Sequence, residues 1–409
     1  MTRALFAAAA AASLALSAPS ALHAQTTEAR DRVTMLDGKE LRGRVMRFDS
    51  EGLILRVGSV DRKIPRKQIR AFTSVASHHQ ELIGTWNETP VEDPAAMQAL
   101  ARTAEGNGLP HEARLCLWYA VLQRPADAEL HKALGNKQLN GRFLVQIDDR
   151  QVPFAEADAL GVDFDDAWRL RSEHFSIQCG AGLRTALDTL MELEALYWTF
   201  QEVFGRELTL LEIVEPVSVR LYRTRAQMPN LSNTAGAYFS HGEQTLYTCV
   251  ENGRPYAIMH EGTHALLHWF FVRAAKSRGE LPAWLNEGWA EYMDGRLQTR
   301  VPGKPARLER SMQPGHFSSL AAAPKGELYG VHRLLNFKAS DFGASTRQDL
   351  KYAQSWALFR WLYENKDSTV RASFAEYLRD AAAGQGQAST FRRIFKRLEQ
   401  ELETAPWRP

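Results

Sequence analysis

The 409-residue sequence predicts a multidomain α+β protein of three modules behind a leader. Three observations carry this. About 150 residues per domain gives two to three domains. Residues 32–73 alternate in the manner of short strands, whereas residues 94–139 turn to helical periodicity. Beyond residue 167 strands come first and helices follow, the pattern of an α+β domain. Composition agrees with a globular chain: 44% hydrophobic, 24% charged, net charge +2. That balance argues against a partner bound by phosphate neutralisation, so no nucleic acid is expected. Three cysteines cannot form a disulfide framework.

The first element is an address. Arg3 precedes an apolar, alanine-rich run from Ala4 to Ala18 that is too short to span a bilayer. Residues 1–24 read as a signal peptide cleaved after Ala24, and no cysteine near the cut offers a lipid anchor. An uncleaved anchor is the alternative. The mature chain from Gln25 then has net charge +1, no transmembrane segment, and a periplasmic or extracellular location. An oxidising compartment admits a Cys179–Cys249 bridge.

Residues 25–77 read as a small SH3-like or Sm-like β-barrel. Its strands are separated by Asp37-Gly38, Glu51-Gly52 and Gly58-Ser59. The basic cluster Arg62, Lys63, Arg66, Lys67 and Arg70 reads chiefly as a solvated strand surface. Residues 78–145 form a helical spacer: one helix to Gly106, a second through Ala113 to Leu122, a third ending at Gly135. The pair resembles a tetratricopeptide hairpin, without the period of an array. Either module is a candidate surface for a protein partner. An acidic, irregular stretch at 146–167 marks the boundary to the last domain, residues 146–409.

The chemistry lies in His260-Glu261-Gly262-Thr263-His264. Histidines at i and i+4 lie on one helical face and can reach one metal ion. The glutamate between them is placed to act as general base on a water. Pro255 is expected at helix position N1. Downstream, Pro282-Ala-Trp-Leu-Asn-Glu-Gly-Trp-Ala-Glu reads as a second helix closed by Gly295. Glu287, 23 residues after His264, offers a third ligand, and Glu291, one turn on, can accept the free ring N–H of His260. Three protein ligands and one open position describe a catalytic zinc, so one Zn2+ per chain is expected.

His-Glu-x-x-His followed by Trp-Leu-Asn-Glu-Gly-x-Ala-Glu-Tyr resembles the gluzincin clan of zinc metallopeptidases, the thermolysin and zinc-aminopeptidase group. The resemblance covers about residues 168–365 and is closest to poorly characterised exported bacterial peptidase-MA-like proteins, whose upstream strand is similar to Ser172-Glu173-His174-Phe175. It implies a thermolysin-like catalytic domain, zinc on His260, His264 and Glu287, and Glu261 as base. It also implies a tyrosine on a later helix that stabilises the oxyanion. Tyr352, 65 residues past Glu287, is the candidate, on a helix opened by a capping box at Ser345–Gln348. The substrate-amine strand Gly-x-Met-Glu-Asn of the clan's aminopeptidases has no counterpart. Gly236-Ala237-Tyr238-Phe239 stands in that region without the glutamate.

The expected function is therefore an exported zinc metallopeptidase acting on a peptide or protein. The alternatives are a non-catalytic envelope interaction protein with a structural or decayed zinc site, and a zinc hydrolase with a non-peptide substrate. His268, one turn beyond the motif, reads as packing; His241 and His332 read as surface or satisfied histidines. The segment 298–344 reads as a cleft frame, a lid or a surface insertion.

Overall fold

The glycines of the predicted turns do what their lack of a Cβ allows: Gly38 (φ +86°) and Gly58 (φ +61°) take left-handed conformations that close two hairpins. In the computed structural model, which describes residues 31–229, 236–273, 281–296, 311–324, 326–343 and 346–407, these hairpins join β1 (Asp31–Met35), β2 (Glu40–Asp49), β3 (Gly52–Val57), β4 (Val60–Pro65) and β5 (Ile69–Thr73). The predicted leader, residues 1–24, lies outside the described residues. The five strands form one antiparallel sheet in the order β4-β3-β2-β1-β5. The expected barrel does not close, since β4 and β5 are the two edges and do not pair. The physical reason is visible along β4, where Ile64 is the sole buried side chain, so it has no apolar face to carry it onto β5. All five residues of the basic cluster are exposed.

Helix α1 (Val75–Glu88) straddles the boundary expected between residues 77 and 78, and Ser74 caps it by accepting from the Ser77 N–H. Then come α2 (Pro94–Gly106), α3 (Pro110–Gln123) and α4 (Ala128–Ala133), the three helices expected of the spacer. Asp93 and Asp127 cap α2 and α4. The stretch read as irregular is ordered: β6 (Lys137–Leu139), β7 (Arg142–Ile147) and β8 (Arg150–Pro153) form an antiparallel meander, followed by α5 (Phe154–Leu160).

The last domain opens with β9 (Trp168–Arg171) and β10 (Phe175–Cys179). Helix α6 (Leu183–Leu208) crosses to β11 (Val217–Tyr222), which pairs parallel to β10. Next come β12 (Ala237–Ser240) and β13 (Thr245–Glu251), an antiparallel hairpin with its turn at 241–244. The mixed sheet runs β12-β13-β11-β10-β9, with β12 and β9 as its antiparallel edges. Cys179 and Cys249 lie on β10 and β13 with β11 between them. Two strand spacings are about 9.6 Å, beyond the roughly 7 Å that a disulfide spans. All three cysteines are accordingly free and buried.

The helical half contains α7 (Ile258–Leu267), α8 (Ala283–Asp294), α9 (Pro314–Ala322), α10 (Val331–Leu334), α11 (Ala339–Gly343), α12 (Gln348–Tyr363), α13 (Ser368–Ala382), α14 (Ala388–Phe395) and α15 (Glu399–Leu402). Asp367 caps α13, and a 3-10 turn at Lys396–Leu398 separates α14 from α15. Among the described residues no helix is long and apolar enough to cross a membrane. The fold is mixed α+β throughout.

A buried polar junction locks the three modules together. His174, at the start of β10, sits between two carboxylates: Nδ1 is 2.6 Å from Glu194 Oε2 on α6 and Nε2 is 2.8 Å from Glu212 Oε1. His79 of α1 donates from Nε2 to Glu112 of α3 (3.1 Å), while its Nδ1 accepts from the Trp198 indole (2.7 Å). The strand module joins through Arg44, which donates to Glu173 and to the Ile213 carbonyl, and through the Met46 carbonyl, which accepts from the Glu212 N–H.

Candidate metal centre

The motif helix is delivered differently from expectation. Pro255 is not at N1; it pairs with Val250 of β13, and Ala257 (φ +48°) turns the chain from the sheet into α7. Gly262 lets α7 settle on α6, since a Cβ there would lie 2.7 Å from Leu196 Cδ2 and 2.9 Å from Leu193 Cδ2. Gly288 does the same between α8 and α12: a Cβ would lie 2.5 Å from the Ser355 carbonyl oxygen. These two close approaches seat α7 on α6 and α8 on α12.

The predicted ligands converge. His260 Nε2 and His264 Nε2 are 3.0 Å apart, and Glu287 Oε2 is 3.3 and 3.4 Å from them. Tetrahedral ligands at about 2.0–2.1 Å from zinc lie about 3.3–3.4 Å from one another, so the triangle fits that ion. Glu287 Oε2 is buried with no hydrogen-bond partner among the described residues, which a cation held by the triangle would remedy. Burial disfavours the Glu287 carboxylate, yet His264 and His260 outweigh it and hold its pKa well below the usual range. Burial also opposes a charged His260, but Glu287 and Glu291 raise its pKa well above normal. The pocket is thus built around anionic oxygens facing the imidazoles.

Glu291 stands where the sequence put it, with Oε1 3.2 Å from His260 Nδ1. Its pKa falls to about 2, because hydrogen bonds from His260 and His316 outweigh burial. His264 has no such support: its Nδ1 is buried without a hydrogen-bond partner among the described residues. Tyr352 reaches the site, its ring centroid 6.1 Å from that of His260. Burial, and secondarily the charge of Glu287, raise its pKa, so the hydroxyl keeps its proton at neutral pH. Helix α12 that carries it begins at Gln348 behind a left-handed Arg347, not at Ser345; Ser345 lies outside the described residues. The negative charge of Glu261 is felt by both His260 and Tyr352.

His268 takes no part in the triangle. It opens a π-helical turn, His268–Arg273, and its ring packs on Phe239 and His241 at 5.3 and 5.2 Å. His332 is exposed on α10. Three residues near the site escaped the sequence reading: Asp294, Gln313 and His316. His316 Nε2 lies 2.7 Å from Glu291 Oε2, and Gln313 Nε2 donates to Asp294 Oδ2 at 2.8 Å. Gln313 and His316 belong to the segment 298–344, which contributes α9 to the back of α8; residues 297–310 lie outside the described residues.

A second cluster, His79, His174 and Glu194, also brings metal-type donors together. Its hydrogen bonds leave no histidine lone pair for an ion. The Trp198 N–H occupies His79 Nδ1, so Nε2 carries the hydrogen. Both nitrogens of His174 face carboxylates, and although burial opposes it, Glu194 and Glu212 lift its pKa to about 10, making it an imidazolium.

A family described as protein of unknown function (DUF1570) matches residues 256–385. That span, 130 of 409 residues, contains the triangle of His260, His264 and Glu287 together with Glu261, Glu291, His316 and Tyr352. No curated protein matches the chain.

Proposed function

We propose that the chain is an exported zinc-dependent metallopeptidase whose zinc is held by His260, His264 and Glu287. The observation that carries this is the triangle of three donor atoms, 3.0–3.4 Å on a side, with a glutamate between the histidines in sequence and a tyrosine ring beside the first of them. A bound zinc supplies Lewis acidity, which acidifies a water and polarises a carbonyl. Glu261 takes a proton from the attacking water and passes it to the leaving amine. The Tyr352 hydroxyl donates a hydrogen bond to the oxygen of the tetrahedral intermediate. Glu291 holds the Nδ1–H of His260 and so keeps the Nε2 lone pair turned toward Glu287.

A peptide is the favoured substrate because β12 is an edge of the mixed sheet and packs beside α7. An extended chain can add to such an edge by main-chain hydrogen bonds. In this reading residues 146–409 form a thermolysin-like catalytic domain. The order β4-β3-β2-β1-β5 supports an SH3-like strand module, and α2 with α3 a tetratricopeptide-like hairpin. Export rests on the leader at residues 1–24.

The test is metal content and peptide hydrolysis of residues 25–409 beside Glu261→Gln. Both proteins should carry about one zinc per chain, and the substitution should lower kcat about 10²–10⁴-fold. Equal activity would remove Glu261 from its role, and absence of zinc from both would remove the site.

A further inference from the structure

Behind His260 the structure extends the site by one residue that the reaction does not touch. Glu291 is held at both oxygens: Oε1 faces His260 Nδ1 at 3.2 Å, and Oε2 faces His316 Nε2 at 2.7 Å. The two partners come from different elements. His260 belongs to α7, whereas His316 is on α9, which packs against α12; the His316 ring lies 5.6 Å from that of Trp356. Gln313, three residues earlier, also donates to Glu291 Oε2, at 3.3 Å. A carboxylate held at one oxygen can still turn about its terminal torsion. A second donor on the other oxygen fixes the carboxylate plane, and through it the ring of the histidine it supports. Such support matters more for His260 than the count of ligands suggests, because His264 Nδ1 has no hydrogen-bond partner among the described residues.

We infer that His316 is a positioning residue for the metal centre. By donating from Nε2 to Glu291 Oε2, it orients Glu291 and thereby sets the tautomer and ring plane of the ligand His260. The inference rests on the reading of His260, His264 and Glu287 as a metal site, but not on peptide hydrolysis. It makes α9 part of the functional unit, so that the segment after α8 serves the metal centre from behind.

The test is zinc affinity, measured on metal-free residues 25–409 by competition with a chromogenic chelator. His316→Phe keeps a ring against Trp356 and loses the donor; His316→Gln loses the ring and keeps an N–H donor. Positioning through the hydrogen bond predicts that Phe raises the zinc Kd about tenfold or more and that Gln stays within about threefold. A packing role predicts the reverse order. In a Glu291→Ala background His316→Phe should add less than about a twofold further loss, because its effect passes through Glu291. Equal affinities for Phe and the unsubstituted chain, equal losses for Phe and Gln, or additive losses in the double variant would each overturn the inference. Zinc binding indifferent to His316 defeats this inference alone. Tight zinc binding without hydrolysis defeats the peptidase reading alone, and no zinc binding by the unsubstituted chain defeats both.

Discussion

Replacing Gly288 by alanine tests how the fold builds the site. A Cβ at this position would lie 2.5 Å from the Ser355 carbonyl oxygen, 2.8 Å from the Ser355 carbonyl carbon and 3.4 Å from Phe359 Cβ. The nearest two atoms are backbone and cannot rotate aside. Restoring contact to 3.0–3.4 Å therefore requires α8 and α12 to separate by about 0.5–0.9 Å. Helix propensity favours the substitution by about 1 kcal/mol, while overpacking costs about 1–3 kcal/mol, so stability should fall modestly or hold. The larger effect is on the ligand next to the glycine. Glu287 rides on α8, and ligand distances tolerate only about 0.2 Å of error, so zinc affinity should drop about tenfold or more. Gly84→Ala is the control, since a Cβ there meets nothing within 4 Å on an exposed face of α1. It should stabilise the chain by about 0.5–1 kcal/mol and leave zinc binding alone. Chelator competition and thermal unfolding of the two variants decide the matter. If Gly288→Ala also stabilises and binds zinc as tightly as the parent, the close approach at Gly288 does not set the site.

Tyr352→Phe should retain one zinc per chain and lower kcat about 10²–10³-fold with little change in KM, as loss of a transition-state donor does; a rise in KM alone would assign the ring to substrate packing. At the inter-module junction His174→Ala should destabilise the chain by about 3–5 kcal/mol in urea unfolding, because it removes the one imidazolium that lies between two buried carboxylates. That junction also has a pH signature: the His174 pKa rises from 6.5 to about 10 on folding, so its contribution is whole below pH 6.5 and is lost as pH rises through about 10. On the acid side Glu194, held near 2 because His174 and His79 outweigh burial, gives stability present above pH 4.5 and lost as pH falls toward 2. Unfolding midpoints flat from pH 7 to 10.5, or equally sloped in a folded His174→Gln, would contradict the ion pair. Finally, an exposed-thiol reagent should find no reactive cysteine in the native chain and three after denaturation, since Cys116, Cys179 and Cys249 are buried and free and burial pushes Cys179 up to about 12; a single remaining thiol after denaturation without reductant would indicate a bridge.

Local rules account for much of what was legible in the sequence. Turn glycines such as Gly38 and Gly58 and the helical periodicity of residues 94–139 each act within a few residues, and each element appeared near its expected place. Closure of the first sheet depends instead on whether β4 has a second face to bury, which a run of β-forming residues does not reveal. The Cys179–Cys249 pairing failed for a similar reason: strand order, with β11 inserted between them, is a long-range property. The polar junction was also invisible, because His79, Glu112, His174, Glu194 and Glu212 come from elements up to 133 residues apart.

The same distinction runs through the candidate site. His260, Glu261 and His264 share one helix, so their relation follows from 3.6 residues per turn. Glu287 and Glu291 share another, and one return of the chain sets them opposite. His316 has no spacing to announce it, since it reaches Glu291 by the packing of α9 on α12. The seating of α7 on α6 and of α8 on α12 is carried by Gly262 and Gly288, which by propensity alone only weaken α7 and α8. In the folded chain a Cβ at 288 would meet the α12 backbone at 2.5 Å, and one at 262 would press on the Leu193 and Leu196 side chains of α6. The residue after Glu261 and the residue after Glu287 thus set how closely the helices that carry the candidate ligands approach their neighbours. A chain with the same histidines and glutamates but a larger residue at 288 would have to move α8, and Glu287 with it, away from the α12 backbone.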